Sequence, residues 1–197
     1  TGGGNPTAGT GVSVSGTGSL KANSIGTVNN QVGYYTQGES GAPTVDVDSI
    51  QTSGAVTISG GKLRTRIIGT NDDIHRIASY TQNNNTEEVV VEAGGINSVG
   101  NVSISAGKLT TSGNIDAHNG SYIQSGASEV TLSDGKTISS NNAASLTGGA
   151  TLNLGSGSTL DAKSGLTVSD SASIKDVNNN ATVKVTGSYT QDGTSTD

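Results

Sequence analysis

The sequence predicts an all-β protein that folds as a right-handed parallel β-helix, a β-solenoid of about nine turns with roughly 22 residues in each turn. Three observations predict this fold: a composition of small and β-branched residues, a recurring pattern of short alternating strands, and a marker tripeptide that returns at multiples of one interval. We therefore expect residues 1–197 to form a single solenoid segment.

The composition excludes a core built on large side chains. The chain has 30 Gly, no Cys, Met, Trp or Phe, and only five Tyr, so its apolar content is almost entirely Val, Ile, Leu and Ala. Such residues bury a core only if that core is narrow and periodic. The β-branched residues occur in short alternating runs, which indicates strands rather than disorder. The lack of Cys argues against a small disulfide-stapled domain and is compatible with a large exported bacterial protein.

A strand pattern recurs along the chain. Two or three alternating apolar residues are followed by a polar or Gly-containing turn and then by another Leu or Ile, which places apolar side chains on one face. The runs lie at 12–14, 45–47, 56–58, 89–91, 102–104, 130–132, 152–154, 166–168 and 183–185. We expect these ten side chains to point into the core: Val56, Ile58, Val102, Ile104, Val130, Leu132, Leu152, Leu154, Val183 and Val185.

A second repeat is the tripeptide Tyr-Thr-Gln or a close variant. Its tyrosines are Tyr35, Tyr80, Tyr122 and Tyr189. The three intervals between them are close to two, two and three turns of about 22 residues. The tyrosines should therefore lie along the same edge of a rod whose turns stack at about 4.8 Å, so that nine turns span about 40 Å.

One segment departs from the pattern and predicts a projecting loop near residues 64–79. It carries every Arg of the chain, and Asp72 is placed to cap a short turn with Ile74 and Ile77 on one face. As an active site, the segment would need carboxylates or a base and a cation converging on one sugar; otherwise it is a solvated loop with local ion pairs. The candidate ligand-binding residues are Arg64, Arg66, Asp72, Asp73, His75 and Arg76.

No metal site or cofactor is predicted. Asp46 and Asp48 alternate on one strand, and Glu87, Glu88 and Glu92 follow two turns later, but Ca²⁺ needs six to eight converging oxygens and the repeat motif that supplies them is missing. The two histidines, His75 and His118, are far apart in sequence and have no Cys to join them, which argues against zinc. We interpret the acidic residues as a solvated outer face.

Charge and hydropathy exclude two classes of partner. The formal net charge is −6, and the 10 Lys and Arg residues do not cluster, so no nucleic-acid partner is expected. No apolar run approaches the roughly 20 residues of a transmembrane helix, so no transmembrane segment is expected.

Two stretches resemble known repeat families. Residues 100–117, GNVSISAGKLTTSGNIDA, look like the repeats of filamentous-haemagglutinin-type exoproteins of two-partner secretion, and residues 148–162, GGATLNLGSGSTLDA, are similar to autotransporter passenger repeats. The resemblance implies a secreted or surface-displayed bacterial adhesin. In such a protein a repetitive shaft holds a binding region away from the cell.

The sequence thus favours a structural or adhesive shaft segment and not an enzyme, with glycans or proteins of host or neighbouring cells, or further copies joined end to end, as expected partners. Two alternatives are a β-helical polysaccharide-processing enzyme and a subunit of an extracellular filament. An ice- or mineral-binding face would need ranks of Thr-x-Thr, and the one such tripeptide is Thr194-Ser-Thr196. Earlier Tyr markers precede the next strand by eight to ten residues, and only eight follow Tyr189. This predicts a segment of a longer solenoid or a subunit whose open end is covered by a neighbour.

Overall fold

The protein is a parallel β-solenoid, seen in a computed structural model that describes residues 10–38, 40–83 and 87–192. The described residues form 21 strands and no helix. Every pairing between these strands is parallel and joins one turn to the next, as the sequence predicted. In the later turns each turn contributes three strands in succession, so the rod has three faces, named A, B and C in chain order.

Face A is a sheet of nine short strands, one from every turn. In spatial order they are β1 (Val12–Val14), β3 (Tyr35–Gln37), β5 (Ala55–Ile58), β7 (Ser79–Gln82), β9 (Val102–Ile104), β12 (Tyr122–Gln124), β15 (Ala144–Leu146), β18 (Leu166–Val168) and β21 (Tyr189–Gln191).

Faces B and C belong to a second sheet of twelve strands. Four long strands run through both faces: β2 (Ser19–Ile25), β4 (Thr44–Ile50), β6 (Lys62–Ile68) and β8 (Glu88–Ser98). Above them face B continues with β10 (Lys108–Thr111), β13 (Glu129–Leu132), β16 (Thr151–Leu154) and β19 (Ser173–Asp176). Face C continues with β11 (Ile115–Ala117), β14 (Thr137–Ser140), β17 (Thr159–Ala162) and β20 (Thr182–Val185).

The solenoid has about eight turns, and not the nine that chain length suggested. Nine strands in face A delimit eight intervals, from the pairing of Val12 with Tyr35 to that of Leu166 with Tyr189. These pairings confirm the predicted repeat of about 22 residues per turn. Dividing the full chain length by 22 residues overestimates the number of turns, because it includes the residues before Val12 and after Gln191, which add no further described turn.

The core is a narrow column of aliphatic side chains. On face C, the first inward position holds isoleucine in six successive turns, and each side chain is at most 5% exposed. Stacking identical β-branched side chains at the strand spacing fills the interior without large residues, which explains why the chain needs so few aromatics. The six residues are Ile25, Ile50, Ile68, Ile96, Ile115 and Ile138.

The tyrosine markers lie along one edge, as predicted. On face A, Tyr35 is in register with Val56, Val56 with Tyr80, and this row continues through Tyr122 to Tyr189. Each tyrosine hydroxyl donates a hydrogen bond of 2.8–3.0 Å to the glutamine two residues later in the same strand. In the first three markers this is a local polar pair inside an aliphatic core, whereas Tyr189 is 47% exposed.

The predicted core is confirmed for eight of its ten residues, from Val56 to Leu154. Val183 and Val185 take the predicted inward positions, in register with buried Leu160 and Ala162, but Val183 is 43% exposed and Val185 is half-buried. Both lie on β20, which pairs only with β17 among the described strands, so their side chains lack a neighbouring turn on the other side.

The projecting loop begins later than predicted. Residues 64–68 belong to strand β6, and the loop occupies 69–78 before β7 begins at Ser79. Gly69 starts the loop with φ +64, where an added Cβ would meet the carbonyl oxygen of Asn97, so glycine is required at this corner. Ile77 is fully buried and pairs with Ser98, whereas Ile74 is 78% exposed, so the two do not share a face as predicted.

Candidate functional site

The six predicted site residues fall into two groups. Arg64 and Arg66 lie on β6, where alternation with buried Leu63 and Thr65 directs their side chains outward on face B. The other four residues lie in the loop at 69–78. The structure therefore divides the predicted patch between strand β6 and the loop, and Arg64 and Arg66 form ion pairs with neighbouring strands.

The outer face of β6 forms ion pairs with neighbouring turns. Arg64 donates to Glu92 Oε1 through Nε at 2.9 Å and Nη2 at 2.6 Å, and Arg66 donates to both carboxylate oxygens of Asp48, at 2.9 and 3.2 Å. The hydrogen bond from Arg66 lowers the pKa of Asp48, and the bond to Glu92 raises the pKa of Arg64. Below them, Lys21 lies 3.6 Å from Asp46.

The acidic residues of the outer face therefore have partners from adjacent turns. Glu87 lies 3.7 Å from Lys62, and Glu88 accepts a hydrogen bond of 2.7 Å from Thr110. Within residues 10–38, 40–83 and 87–192 there is no group of three or more Asp, Glu, His or Cys side chains suited to a metal ion. The carboxylates are spread along the strands and paired with cations, so they do not converge.

Asp72 organises the tip of the loop. Its Oδ1 accepts hydrogen bonds from the backbone N–H groups of Ile74 at 3.1 Å and His75 at 2.8 Å, and its Oδ2 accepts one from Thr70 Oγ1 at 2.7 Å. The Thr70 bond and the His75 contacts hold the pKa of Asp72 at about 2. The capping role predicted for Asp72 is confirmed, although the segment is a turn and not a helix.

The base of the loop is clamped by a largely buried ion pair. The Arg76 side chain is 5% exposed; its Nη1 lies 2.6 Å from Asp116 Oδ2 and its Nη2 lies 2.6 Å from Asn71 Oδ1. Asp116 belongs to β11, 40 residues further along the chain, and also accepts a bond from Ser139. The loop is therefore fastened to face C by Asp116, whose carboxylate is also held by Ser139 of the following turn.

The two histidines lie beside different carboxylates of the loop and its clamp. His75 Nδ1 lies 2.9 Å from Asp72 Oδ1, while His118 lies 3.9 Å from Asp116 and 4.0 Å from Asp73. The sequence analysis missed Asp116 and His118 as partners of the loop, and Asn71 as the partner of Arg76 within the loop. The signal was the repeat register, because Ser98 pairs with both Ile77 and Ala117 and so brings the loop end next to β11.

The arrangement can hold the loop and present polar groups, but its charged side chains are used in internal pairs. Arg76 pairs with Asp116, Arg66 with Asp48 and Arg64 with Glu92, so no pair of carboxylates stands ready for acid–base work among these residues.

A column of hydroxyl side chains runs along the outside of face A. The middle residues of its nine strands, in register, are Ser13, Thr36, Thr57, Thr81, Ser103, Ile123, Ser145, Thr167 and Thr190. The nine strands carry no charged residue, so this strip is neutral on an acidic chain. The Thr-x-Thr pattern does not reveal this column, because its members lie in different turns. The tripeptide at Thr194–Thr196 lies outside the described residues.

Fold and surface together define a parallel β-solenoid repeat protein with one clamped loop. Comparisons of the chain with protein family models, with curated proteins and with solved structures found no match. Among the described residues no helix is long and apolar enough to cross a membrane.

Proposed function

We propose that this chain is a shaft segment of a secreted or cell-surface bacterial exoprotein and holds a binding region away from the cell. The observation that carries the proposal is the unbroken ladder of face A from Val12 to Gln191, with an aliphatic core beneath it. Each turn pairs with its neighbours in register, and such stacking makes a stiff element whose length scales with the number of repeats.

The resemblance of residues 100–117 and 148–162 to exported repeat families supports the same role. Those residues build the three strands of a turn at β9, β10 and β11, and the consecutive strands β16 and β17 two turns later. We accordingly propose kinship with filamentous-haemagglutinin-type or autotransporter passenger proteins, with glycans or proteins of another cell, or further copies of the chain, as partners.

Localisation tests the shaft role. Antibody raised against the purified chain should label the outer surface of intact source cells or detect the protein in the culture medium, with a cytosolic enzyme as the lysis control. Protease added to intact cells should remove the surface signal. Detection only in the cytosol, after lysis, would overturn the proposal.

The polysaccharide-processing enzyme is the second candidate, and it is tested by turnover. The purified chain should release no reducing ends from neutral or acidic polysaccharides. Cleavage that is lost in both Asp72→Asn and Asp73→Asn, while a Lys175→Met control stays active, would show that the loop is an active site and would replace the shaft by an enzyme.

A further inference from the structure

A cleft lies on face C across three successive turns of the chain. Its floor is the outward column Ser24, Ser49 and Ile67, which are in register on β2, β4 and β6. Thr27 and Val28, at the corner after β2, and Thr70, at the corner after β6 two turns later, line its two walls. The cleft has a volume of about 510 Å³, which is in the range of a small-ligand site.

The walls of the cleft are internally bonded. In the lower corner, Thr27 and Asn30 exchange backbone hydrogen bonds of 3.1 Å in both directions, which closes a tight turn. In the upper wall, Thr70 donates its backbone N–H to the carbonyl of His75 and its hydroxyl to Asp72. The loop that carries this wall is held by Arg76 and Asp116. The cleft is thus formed before any ligand arrives.

The side chain of Gln51 enters this cleft with an unpaired acceptor. Gln51 follows Ile50 and precedes Thr52, which are both fully buried, so alternation directs its side chain outward, where it lines the cleft. The flanking turns have Gly26 and Gly69 at this position, which leaves room for the amide. Gln51 is only 3% exposed, and no group in the described part of the chain donates a hydrogen bond to its Oε1.

We propose that this cleft binds a hydroxyl-rich neutral ligand, a sugar unit of a glycan, with Gln51 Oε1 accepting a ligand hydroxyl. A buried amide oxygen without a donor is unfavourable, and a hydroxyl both donates and accepts. Val28 and Ile67 offer apolar surface to the C–H face of a ring, while Ser24 and Ser49 offer hydroxyls to its edge. Asp48 and Arg66 at the rim neutralise each other, so the cleft does not select a charged ligand.

Direct binding to the purified chain tests the cleft. The probes are cellotriose, mannotriose and tri-N-acetylchitotriose, with sialyllactose and a sulfated heparin disaccharide as charged comparators, each titrated to about 10 mM while amide and side-chain NMR signals are followed. At least one neutral probe should shift signals of residues 23–31, 48–51 and 66–70 in a saturable way. No neutral binding, stronger binding of the charged probes, or shifts elsewhere would overturn the proposal.

Two variants and a matched control assign the effect to the cleft. Gln51→Met keeps the side-chain length and removes the unpaired amide, so the melting temperature should stay or rise while affinity falls at least about tenfold. Ser49→Gln should block the floor and abolish binding. Asp161→Asn is the matched control, because Asp161 occupies the register position of Gln51 five turns further along face C. This variant should bind as the parent chain does. Unchanged affinity in Gln51→Met, or a crystal structure of the probe-soaked protein with only water at Gln51, would overturn the assignment. These results do not depend on where the protein is located, so the cleft and the shaft role can fail separately.

Discussion

At the scale of single residues, position in the register decides what a side chain contributes. Ile104 and Ile123 lie on neighbouring strands of face A, and both are isoleucines of the same repeat pattern. Ile104 is fully buried and in register with Gln124, whereas Ile123 belongs to the outward column. Two isoleucines one register position apart thus have opposite surroundings, one in the core and one on the outer surface. They are therefore a matched pair for substitution by alanine.

We expect Ile104→Ala to lower the free energy of unfolding by about 2 to 4 kcal/mol, because it removes buried methyl groups and leaves a cavity between stacked turns. Ile123→Ala removes a partly exposed side chain and should change stability by no more than about 0.5 kcal/mol. Urea denaturation followed by circular dichroism measures both. Equal losses in the two variants would contradict the assigned strand register.

The buried tyrosines give the protein a defined response to alkali. Burial raises the pKa of Tyr35, Tyr80 and Tyr122 above the usual value. The unfolded chain therefore loses its tyrosine protons first, from about pH 10 upward, so the contribution to stability is complete below that pH and is lost as pH rises further. Urea midpoints should be constant from neutral pH to about pH 9 and fall above pH 10. Normal titration of these three tyrosines in the folded state, with no loss of stability at high pH, would contradict this prediction.

At the scale of elements, the loop at 69–78 depends on a contact that its own sequence does not contain. Most ion pairs of this protein join exposed side chains of adjacent turns, such as Arg64 with Glu92. Arg76 and Asp116 differ because they are 5% and 21% exposed, and they connect the loop to a strand two turns further along face C. Removing one partner of such a pair leaves a largely buried charge.

Asp116→Ala should therefore destabilise the protein by about 3 kcal/mol, and amide hydrogen exchange at residues 70–76 should accelerate before that of the core. Glu92→Ala is the matched control, since it removes a carboxylate from an exposed arginine and should cost at most about 1 kcal/mol. Unfolding measurements and hydrogen exchange on the two variants decide the point. Protection of the loop in Asp116→Ala equal to that of the parent chain would show that Arg76 does not clamp it.

At the scale of the whole molecule, the turn is the unit of structure. Val102, Tyr122 and Ala144 occupy one position in three successive turns of face A, so residues 122–143 form one complete repeat. The backbone of each turn pairs only with the turns on either side. Stability is then close to a sum over turns and their interfaces, and a whole turn is replaceable by its neighbour.

Deletion of residues 122–143 should leave a folded solenoid that is shorter by one turn, because Ala144 then follows Ser121 and takes the place of Tyr122 beside Val102. Deletion of 122–132 removes β12 and β13, so β11 of face C is followed directly by β14 of the same face, and the protein should lose cooperative unfolding. Circular dichroism melts of both deletions measure this. Equal behaviour of the two would show that the assigned turn is not the repeat unit.

Much of this architecture was determined by the sequence alone. The period of about 22 residues, the parallel solenoid and the common edge of the tyrosines followed from intervals between Tyr35, Tyr80 and Tyr122, because a stacked repeat converts distance along the chain into position on the rod. The buried residues from Val56 to Leu154 followed from strand alternation, which has a fixed period of two.

The tertiary structure decided which charges meet. Arg64 and Arg66 join Glu92 and Asp48 and not the loop, and Arg76 joins Asp116 across 40 residues. Three further features were decided by the tertiary structure: the exposure of Val183, the cleft around Gln51 and the hydroxyl column of face A. The physical reason is that alternation fixes whether a side chain points in or out, whereas its neighbours on the outside come from other turns. Those neighbours depend on the exact length of every corner, which varies from turn to turn and has no period in the sequence.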